Sequence, residues 1–162
     1  MAAFSSADMA ALTTNQKAGL GVTQLKALSA SQIASMSADL VESLTTTQFK
    51  SLSNSQLAAL TTDAVAKLTA AKVNELTSTQ IKSLTNTQVA ALSTTQVAAM
   101  TTAQVAALTT SEVSNLSYDQ VKALTTTQLQ AVEVADVAVL NSDQVSSLSA
   151  AQVQAFTTAQ VE

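Results

Sequence analysis

The amino-acid sequence predicts an all-α solenoid, a superhelix of very short helices with one helix in each eight-residue repeat. A large apolar residue recurs at every eighth position from Phe4 to Phe156, a second apolar column follows five residues after the first, and a helix-start signal lies between them. About twenty copies of this octad follow one another without insertion or deletion, which is typical of a repeat array. We therefore expect residues 1–162 to form a single octapeptide-repeat solenoid with no globular domain boundary.

The eight-residue period excludes both a continuous helix and a strand. At about 3.6 residues per turn, equivalent positions of a straight helix would drift by roughly 80° in each copy, so the apolar column would have no single face. In a strand, the two columns would lie on opposite faces, and segments rich in Ala and Gln are poor strand formers. The chain must therefore turn once in each octad.

A capping box predicts where each helix begins. Ser or Thr follows the first apolar column in seventeen of the twenty copies, the exceptions being Gly21, Glu133 and Asn141, and thirteen copies add Gln or Glu three residues later. In the pair Thr101 and Gln104, we expect the hydroxyl to accept from the backbone N–H three residues on, while the Gln side chain accepts from the N–H of Thr101. Each octad should form a helix of about one and a half turns.

One octad is too short to fold alone. Neighbouring helices must stabilise one another by stacking, with both apolar columns filling the axis of the solenoid. Small residues in the last two positions of many copies, such as Ala98 and Ala99, would let successive helices approach closely. No modulation over two, three or four octads stands out, so the number of octads in one superhelical turn stays open.

Two copies depart from the repeat. Residues 17–22 contain both glycines and Lys17, the only polar member of the second apolar column. Residues 132–139 lack the Ser or Thr cap and gain β-branched side chains. We interpret both as decay of the repeat. The alternative is that Lys17 opens the core locally and makes the first two octads a frayed or partner-binding end.

Helix electrostatics explains most of the charged residues. Acids concentrate near predicted helix starts and lysines near predicted helix ends, as the helix dipole favours. No run of acids recurs at eight-residue spacing, so no carboxylate ladder for calcium is expected, and the formal net charge of −4 argues against a nucleic-acid partner. The acids near helix starts are Asp8, Asp39, Asp63, Glu112, Asp119, Asp136 and Asp143, and the lysines are Lys26, Lys50, Lys67, Lys82 and Lys122.

The composition also argues against an enzyme. His and Cys are absent, so the usual zinc ligands and the base of a nucleophilic triad are missing, and two glycines do not make a phosphate-binding loop. Tyr118 is expected at the surface, and Asn115-Leu116-Ser117 is an isolated match to a glycosylation sequon. We predict no catalytic, cofactor-binding or metal-binding residue and no cofactor. No apolar run reaches the roughly 18 residues of a membrane span.

The copies with the pattern Leu-Ser/Thr-Thr-x-Gln-Val-Ala-Ala, most clearly residues 92–99, resemble short Leu-Thr-Thr-x-Gln-Val tandem repeats in very large secreted or surface proteins of Gram-negative bacteria. The resemblance covers nearly the whole chain. It implies an extracellular structural or adhesin-like role and brings no enzymatic residues with it. The absence of Arg and the presence of only seven Lys, which leave few sites for trypsin-like proteases, favour the same location.

Three functions remain as hypotheses. The first is an extracellular structural element, namely a rod, a spacer or a head-to-tail filament of identical copies, because no polar capping repeat is evident in the array. The second is a binding or adhesion module whose repeated Thr/Ser/Gln surface holds a glycan, peptide or protein. The third is an ice-binding solenoid on which rows of Thr order water. The first partner to expect is a second copy of the chain.

Overall fold

The computed structural model of this protein describes residues 5–13, 15–16 and 19–162. Within them the chain forms nineteen α-helices of four to six residues and no strand, which confirms the all-α solenoid. Lys17 lies outside the described residues, so its effect on the core stays a prediction. The helices are α1 Ser6–Ala11, α2 Val22–Ala27, α3 Ala30–Ala34, α4 Ala38–Ser43, α5 Thr46–Lys50, α6 Asn54–Ala58, α7 Thr62–Ala66, α8 Ala70–Asn74, α9 Ser78–Ile81, α10 Asn86–Ala90, α11 Thr94–Ala98, α12 Thr102–Val105, α13 Thr110–Ser114, α14 Tyr118–Ala123, α15 Thr126–Ala131, α16 Val134–Val137, α17 Ser142–Ser146, α18 Ala150–Ala155 and α19 Thr158–Val161.

The predicted capping box begins most of these helices. Thr101 precedes α12 with an extended backbone (φ −72°, ψ 159°), and its Oγ1 accepts from the backbone N–H of Gln104 at 3.1 Å. In return, the backbone N–H of Thr101 donates to Oε1 of Gln104 at 2.8 Å. In the octad of residues 132–139, Glu133 makes no side-chain capping bond, yet Val134–Val137 still forms a helix.

The corner between α14 and α15 consists of two successive residues with extended backbones. Leu124 ends α14 at φ −64°, ψ 133°, and Thr125 then caps α15 at φ −71°, ψ 159°. Helices end here because Ser and Thr side chains favour cap conformations over the helix interior. No described residue has a positive φ, so these corners need no glycine. A chain with only two glycines can therefore turn in every octad.

Three octads complete one superhelical turn. Each helix packs on the helix three octads before it: from α2 onward every helix contacts the third helix after it, and α1 contacts α3 across the incompletely described second octad. The solenoid therefore has three faces. Face 1 comprises α1, α3, α6, α9, α12, α15 and α18, face 2 comprises α4, α7, α10, α13, α16 and α19, and face 3 comprises α2, α5, α8, α11, α14 and α17.

Both apolar columns fill the axis, as the sequence predicts. Members of the second column from Leu25 to Leu129 are at most 4% exposed, and members of the first from Met36 to Val132 are at most 8% exposed. The core is thus one continuous apolar column. Among the helices described, none combines the length and the apolar character needed to span a membrane.

Candidate functional site

The Gln at the third position of most helices connects one turn of the solenoid to the turn before it. Oε1 of Gln96 accepts from the backbone N–H of Ser93 at 2.6 Å, closing the capping box. Its Nε2 donates to the main-chain carbonyls of Val65 at 2.9 Å and Leu68 at 2.6 Å, one turn earlier. We call the residues that bond in this way the Gln ladder. They are Gln48, Gln56, Gln80, Gln88, Gln96, Gln104, Gln120, Gln128, Gln144, Gln152 and Gln160.

The Gln ladder solves a problem that very short helices create. In helices of four to six residues, nearly every N–H and C=O lies at a terminus and lacks a partner within the helix. Each ladder Gln satisfies an N–H of its own helix and carbonyls at the end of a helix in the preceding turn. These carbonyls always include the one 28 residues earlier, at 2.6–3.0 Å.

Burial of the Gln ladder corrects one sequence expectation. From Gln56 to Gln160 the ladder side chains are only 1–8% exposed, so these residues do not belong to the repeated Thr/Ser/Gln surface that the sequence predicts. The capping box alone accounts for Oε1 but leaves Nε2 without a role. Because Nε2 bonds across turns, its partners depend on the number of octads per turn, which the sequence reasoning left open.

The three faces differ in charge. On face 2, among the described residues, exposed carboxylates outnumber exposed lysines by five to one, whereas face 3 carries three of each and face 1 carries a single residue of each sign. Face 1 is therefore a charge-poor surface of small polar side chains. The exposed charged residues are Asp39, Glu42, Asp63, Glu133, Glu162 and Lys67 on face 2, Lys26, Lys50, Lys122, Glu75, Asp119 and Asp143 on face 3, and Asp8 and Lys82 on face 1.

Two residues that the sequence singled out, Asn115 and Tyr118, are exposed. Tyr118 is 58% exposed on face 3. Asn115 is exposed and donates from Nδ2 to the carbonyl of Ser111 at 2.7 Å. The described residues contain no group of three or more Asp, Glu, His or Cys side chains placed to hold a metal ion. The geometry points to a repeated surface and a repeated interface between turns.

Comparison with known families identifies the repeat. The family model described as the ALTTAQ repeat matches residues 1–45, 73–110 and 97–134, together more than half of the chain. The chain belongs to the ALTTAQ repeat family. Residues 99–104 read Ala-Met-Thr-Thr-Ala-Gln, so the motif runs from the end of one helix, through the corner, to a ladder Gln. No curated protein and no solved structure matches the chain.

Five described ALTTAQ copies after the first turn replace the ladder Gln. Leu40 and Ala64 are apolar and fully buried, whereas Lys72, Glu112 and Asp136 are charged and 2–6% exposed. Four of the five, all except Lys72, stand on face 2 at separations that are multiples of three octads. Face 2 therefore carries most of the interruptions of the ladder.

Lys72 partly replaces the missing amide, and Gln should serve better at this position. Its Nζ donates to the main-chain carbonyl of Glu42 in the preceding turn. Burial lowers the pKa of the ammonium below its usual 10.5, although the Glu42 carboxylate acts in the opposite direction. The unfolded chain therefore binds more protons, and the free energy of unfolding should rise with pH from the lowered pKa up to about 10.5.

Lys72→Gln should stabilise the neutral-pH protein by about 1 kcal/mol and reduce this rise, measured by urea unfolding between pH 7 and pH 11. A steeper rise in the variant would contradict the role given to Lys72.

Glu112 keeps the cap but lacks the amide donor. Its Oε2 accepts from the backbone N–H of Thr109 at 2.6 Å and from the hydroxyl of Thr109 at 2.8 Å. Most ladder Gln residues donate to carbonyls 31 and 28 residues earlier. At the same spacing, the second carboxyl oxygen of Glu112 faces the carbonyls of Ile81 and Leu84. Glu112→Gln should supply the missing donor, a gain of about 1–3 kcal/mol. It should lose about 0.3–1 kcal/mol of helix-dipole stabilisation.

The net expectation for Glu112→Gln is therefore a protein more stable by about 1–2 kcal/mol, measured by urea or thermal unfolding. Asp119→Asn is the matched control, since Asp119 is exposed near the start of α14 and lies outside the ladder. This control should lose a few tenths of a kcal/mol. Equal shifts in the two variants would show that position 112 has no special role in joining turns.

Proposed function

We propose that this ALTTAQ repeat chain is a structural protein that serves outside the cell as a rod or spacer. The observation that carries the proposal is the Gln ladder, which joins each turn to the preceding one from Gln48 to Gln160. Hydrogen bonds at fixed intervals along a continuous core resist bending of one turn against the next. A molecule whose buried polar and apolar residues serve this stacking suits a mechanical role better than a chemical one.

The resemblance of the octads to repeats of large secreted and surface proteins supports a location outside the cell. The composition agrees with it, since the chain has no Arg and no Cys, and its apolar core is built without disulfides. Lys side chains are few, and of the six lysines in the described part of the chain only Lys82 stands on face 1. Such a surface offers trypsin-like proteases few points of attack.

The rod can be tested by changing its length in whole turns. Stacked helices lie about 8–10 Å apart, so duplicating residues 92–115, three octads, should lengthen the particle by that amount. Two duplications should add twice as much, with the same cross-section, in small-angle X-ray scattering. A radius of gyration that grows as in a flexible chain, or a particle that thickens without lengthening, would contradict the rod.

A binding role is the second candidate, favoured by face 1. Thr102, Thr126 and Thr127 are exposed there on neighbouring turns, with little charge around them, so a neutral partner such as a glycan meets hydroxyls without strong electrostatic competition. A glycan array probed with the chain tests this idea. Binding lost in Thr102→Lys but retained in Thr94→Lys, the same octad position on face 3, would support it. An array without any signal would count against it.

A further inference from the structure

The octad of residues 132–139 holds a buried carboxylate that has no hydrogen-bond partner. Asp136 stands at the ladder position of α16 and is 3% exposed. In α1 an Asp at this position closes a capping box, since the backbone N–H of Ser5 donates to Oδ2 of Asp8 at 2.9 Å. The corresponding bond to Glu133 is absent, and no described residue donates to the Asp136 carboxylate. Burying an unpaired charge is costly, so this carboxylate needs a positive partner.

Main-chain oxygens of the preceding turn lack a donor at the same place. At the ladder spacing of 31 and 28 residues, Asp136 faces the carbonyls of Val105 and Leu108. Between Leu60 and Val132, a stretch described without gaps, the first-column carbonyls accept from a ladder Gln of the next turn with two exceptions. The exceptions are Leu108 and Leu84, which faces Glu112. Carboxylate and carbonyl oxygens therefore meet at Asp136 with no N–H between them.

The ladder geometry shows that an ion fits between these oxygens. In the next octad, Nε2 of Gln144 lies 3.2 Å from the carbonyl oxygen of Val113 and 2.7 Å from that of Leu116. One atom can thus contact both carbonyls of such a pair. Asp is shorter than Gln by one carbon–carbon bond, about 1.5 Å, which leaves room at this point. Calcium binds carboxylate and backbone carbonyl oxygens at about 2.3–2.6 Å.

The charge around Asp136 is negative and has no lysine to balance it. Glu133 stands at the cap position, whose side chain lies beside the ladder side chain in other octads: Oγ1 of Thr109 donates to Oε2 of Glu112 at 2.8 Å. Glu112 itself is the buried ladder residue one turn earlier on face 2. From residue 84 onward, the octads of face 2 contain no lysine. Three carboxylates in two adjacent turns favour a divalent cation.

Access to this point remains open. Among the described side chains, no nitrogen or oxygen is both shielded from solvent and without a partner. The unpaired oxygens of Asp136 therefore reach solvent through a narrow opening, although the residue as a whole is buried. An ion can enter from the face 2 surface, where the exposed Glu133 stands.

We propose that this octad binds one calcium ion, held by the carboxylate of Asp136 and the main-chain carbonyls of Val105 and Leu108. Glu133 and water complete the coordination. The ion takes the place of the ladder amide and joins two turns of face 2. Magnesium binds less well, because it demands near-octahedral geometry and gives up its waters reluctantly. The loss of the Ser or Thr cap in this octad then serves a ligand and is not decay of the repeat.

The test titrates the 162-residue chain with calcium chloride at pH 7.5. Isothermal titration calorimetry should show about one ion per chain, with a dissociation constant on the order of 0.1–1 mM. About 10 mM calcium should raise the thermal midpoint by roughly 3–10 °C over sodium chloride of equal ionic strength. Asp136→Asn keeps the side-chain size and should abolish both effects. Asp143→Asn makes the same charge change at an exposed position outside the ladder and should respond like the wild type.

A second variant separates the outer ligand from the buried one. Glu133→Gln should weaken calcium binding at least several-fold without changing the number of ions bound. Equal calcium binding by Asp136→Asn and the wild type, or a midpoint that follows ionic strength alone, would overturn the site. An equal response to magnesium would also contradict it, since a diffuse acidic surface does not distinguish the two ions.

Discussion

Replacing Gln104 by Met is expected to lower the free energy of unfolding by about 2–4 kcal/mol, at about 1–3 kcal/mol for each buried polar group left without a partner. Nε2 of Gln104 donates to the carbonyls of Val73 at 2.8 Å and Leu76 at 2.6 Å, and Oε1 accepts from the N–H of Thr101. Met fills a similar volume and has a similar helix propensity, so the loss reports the hydrogen bonds. Urea unfolding followed by circular dichroism measures it.

Gln130→Met is the control for this substitution. Gln130 belongs to α15 but stands two residues after the ladder position and is exposed, so the change should alter stability by less than about 0.5 kcal/mol. If the free energy of unfolding falls by the same small amount in both variants, the ladder does not stabilise the fold. The capping box would then be the whole contribution of Gln to each octad.

Deleting half an octad should damage the solenoid far more than deleting a whole one. Removal of residues 92–95 brings Met100 to one and a half octads after Leu84, and it removes the corner before α11. The apolar side chains of that octad then lose their buried sites. For two such residues, this loss should lower the free energy of unfolding by about 3–6 kcal/mol. We expect the thermal midpoint to fall by about 10–20 °C, at about 2–4 °C per kcal/mol for a chain of this size.

Removal of residues 92–99 is the matched deletion. It takes out twice as many residues but keeps the apolar columns and the Gln ladder in phase, so the array closes with one repeat fewer. Repeat arrays gain stability repeat by repeat, and the midpoint should therefore shift by only a few degrees. A larger loss from the whole octad than from the half octad would show that the octad is not the folding unit.

The local structure follows from single octads, which is why the sequence predicts it. Leu92 and Val97 mark the core positions, Ser93 marks the helix start, and Gln96 completes the cap. All of these roles are confirmed, since Leu92 and Val97 are buried and Ser93 and Gln96 bond reciprocally. Each depends only on residues within one repeat, so neither the number of octads per turn nor the path of the superhelix affects it.

The number of octads per turn depends on contacts between repeats and does not follow from one octad. The corner dihedrals set the angle between successive helices, and near-identical copies give no sign of which ones stack. A signal lay in the exceptions to the Gln column, because four of the five after the first turn, namely Leu40, Ala64, Glu112 and Asp136, are separated by multiples of three octads, and only Lys72 is out of phase. With that spacing recognised, the sequence itself would have indicated three octads per turn.

The charge difference between the faces was missed for the same reason. Asp39 and Asp63 are three octads apart, as are Asp119 and Asp143, but without the turn length each acid looks like an isolated residue near a helix start. The stacking places the first pair on face 2 and the second on face 3. Helix electrostatics explains where in the octad an acid stands, and the superhelix determines which acids become neighbours.

Crosslinking between cysteines introduced into this Cys-free chain tests the three-octad turn most directly. Nδ2 of Asn86 donates to Oγ of Ser111 at 2.7 Å, which brings two side chains 25 residues apart into contact on face 2. The variant Asn86→Cys/Ser111→Cys should react rapidly with a short thiol-to-thiol crosslinker within one molecule. In the control pairs, Asn86→Cys is combined with Ala103→Cys or with Asp119→Cys, the same octad position one repeat earlier or later, and neither pair should react. Crosslinking in a control pair without crosslinking between positions 86 and 111 would contradict the turn of three octads and the Gln ladder built on it.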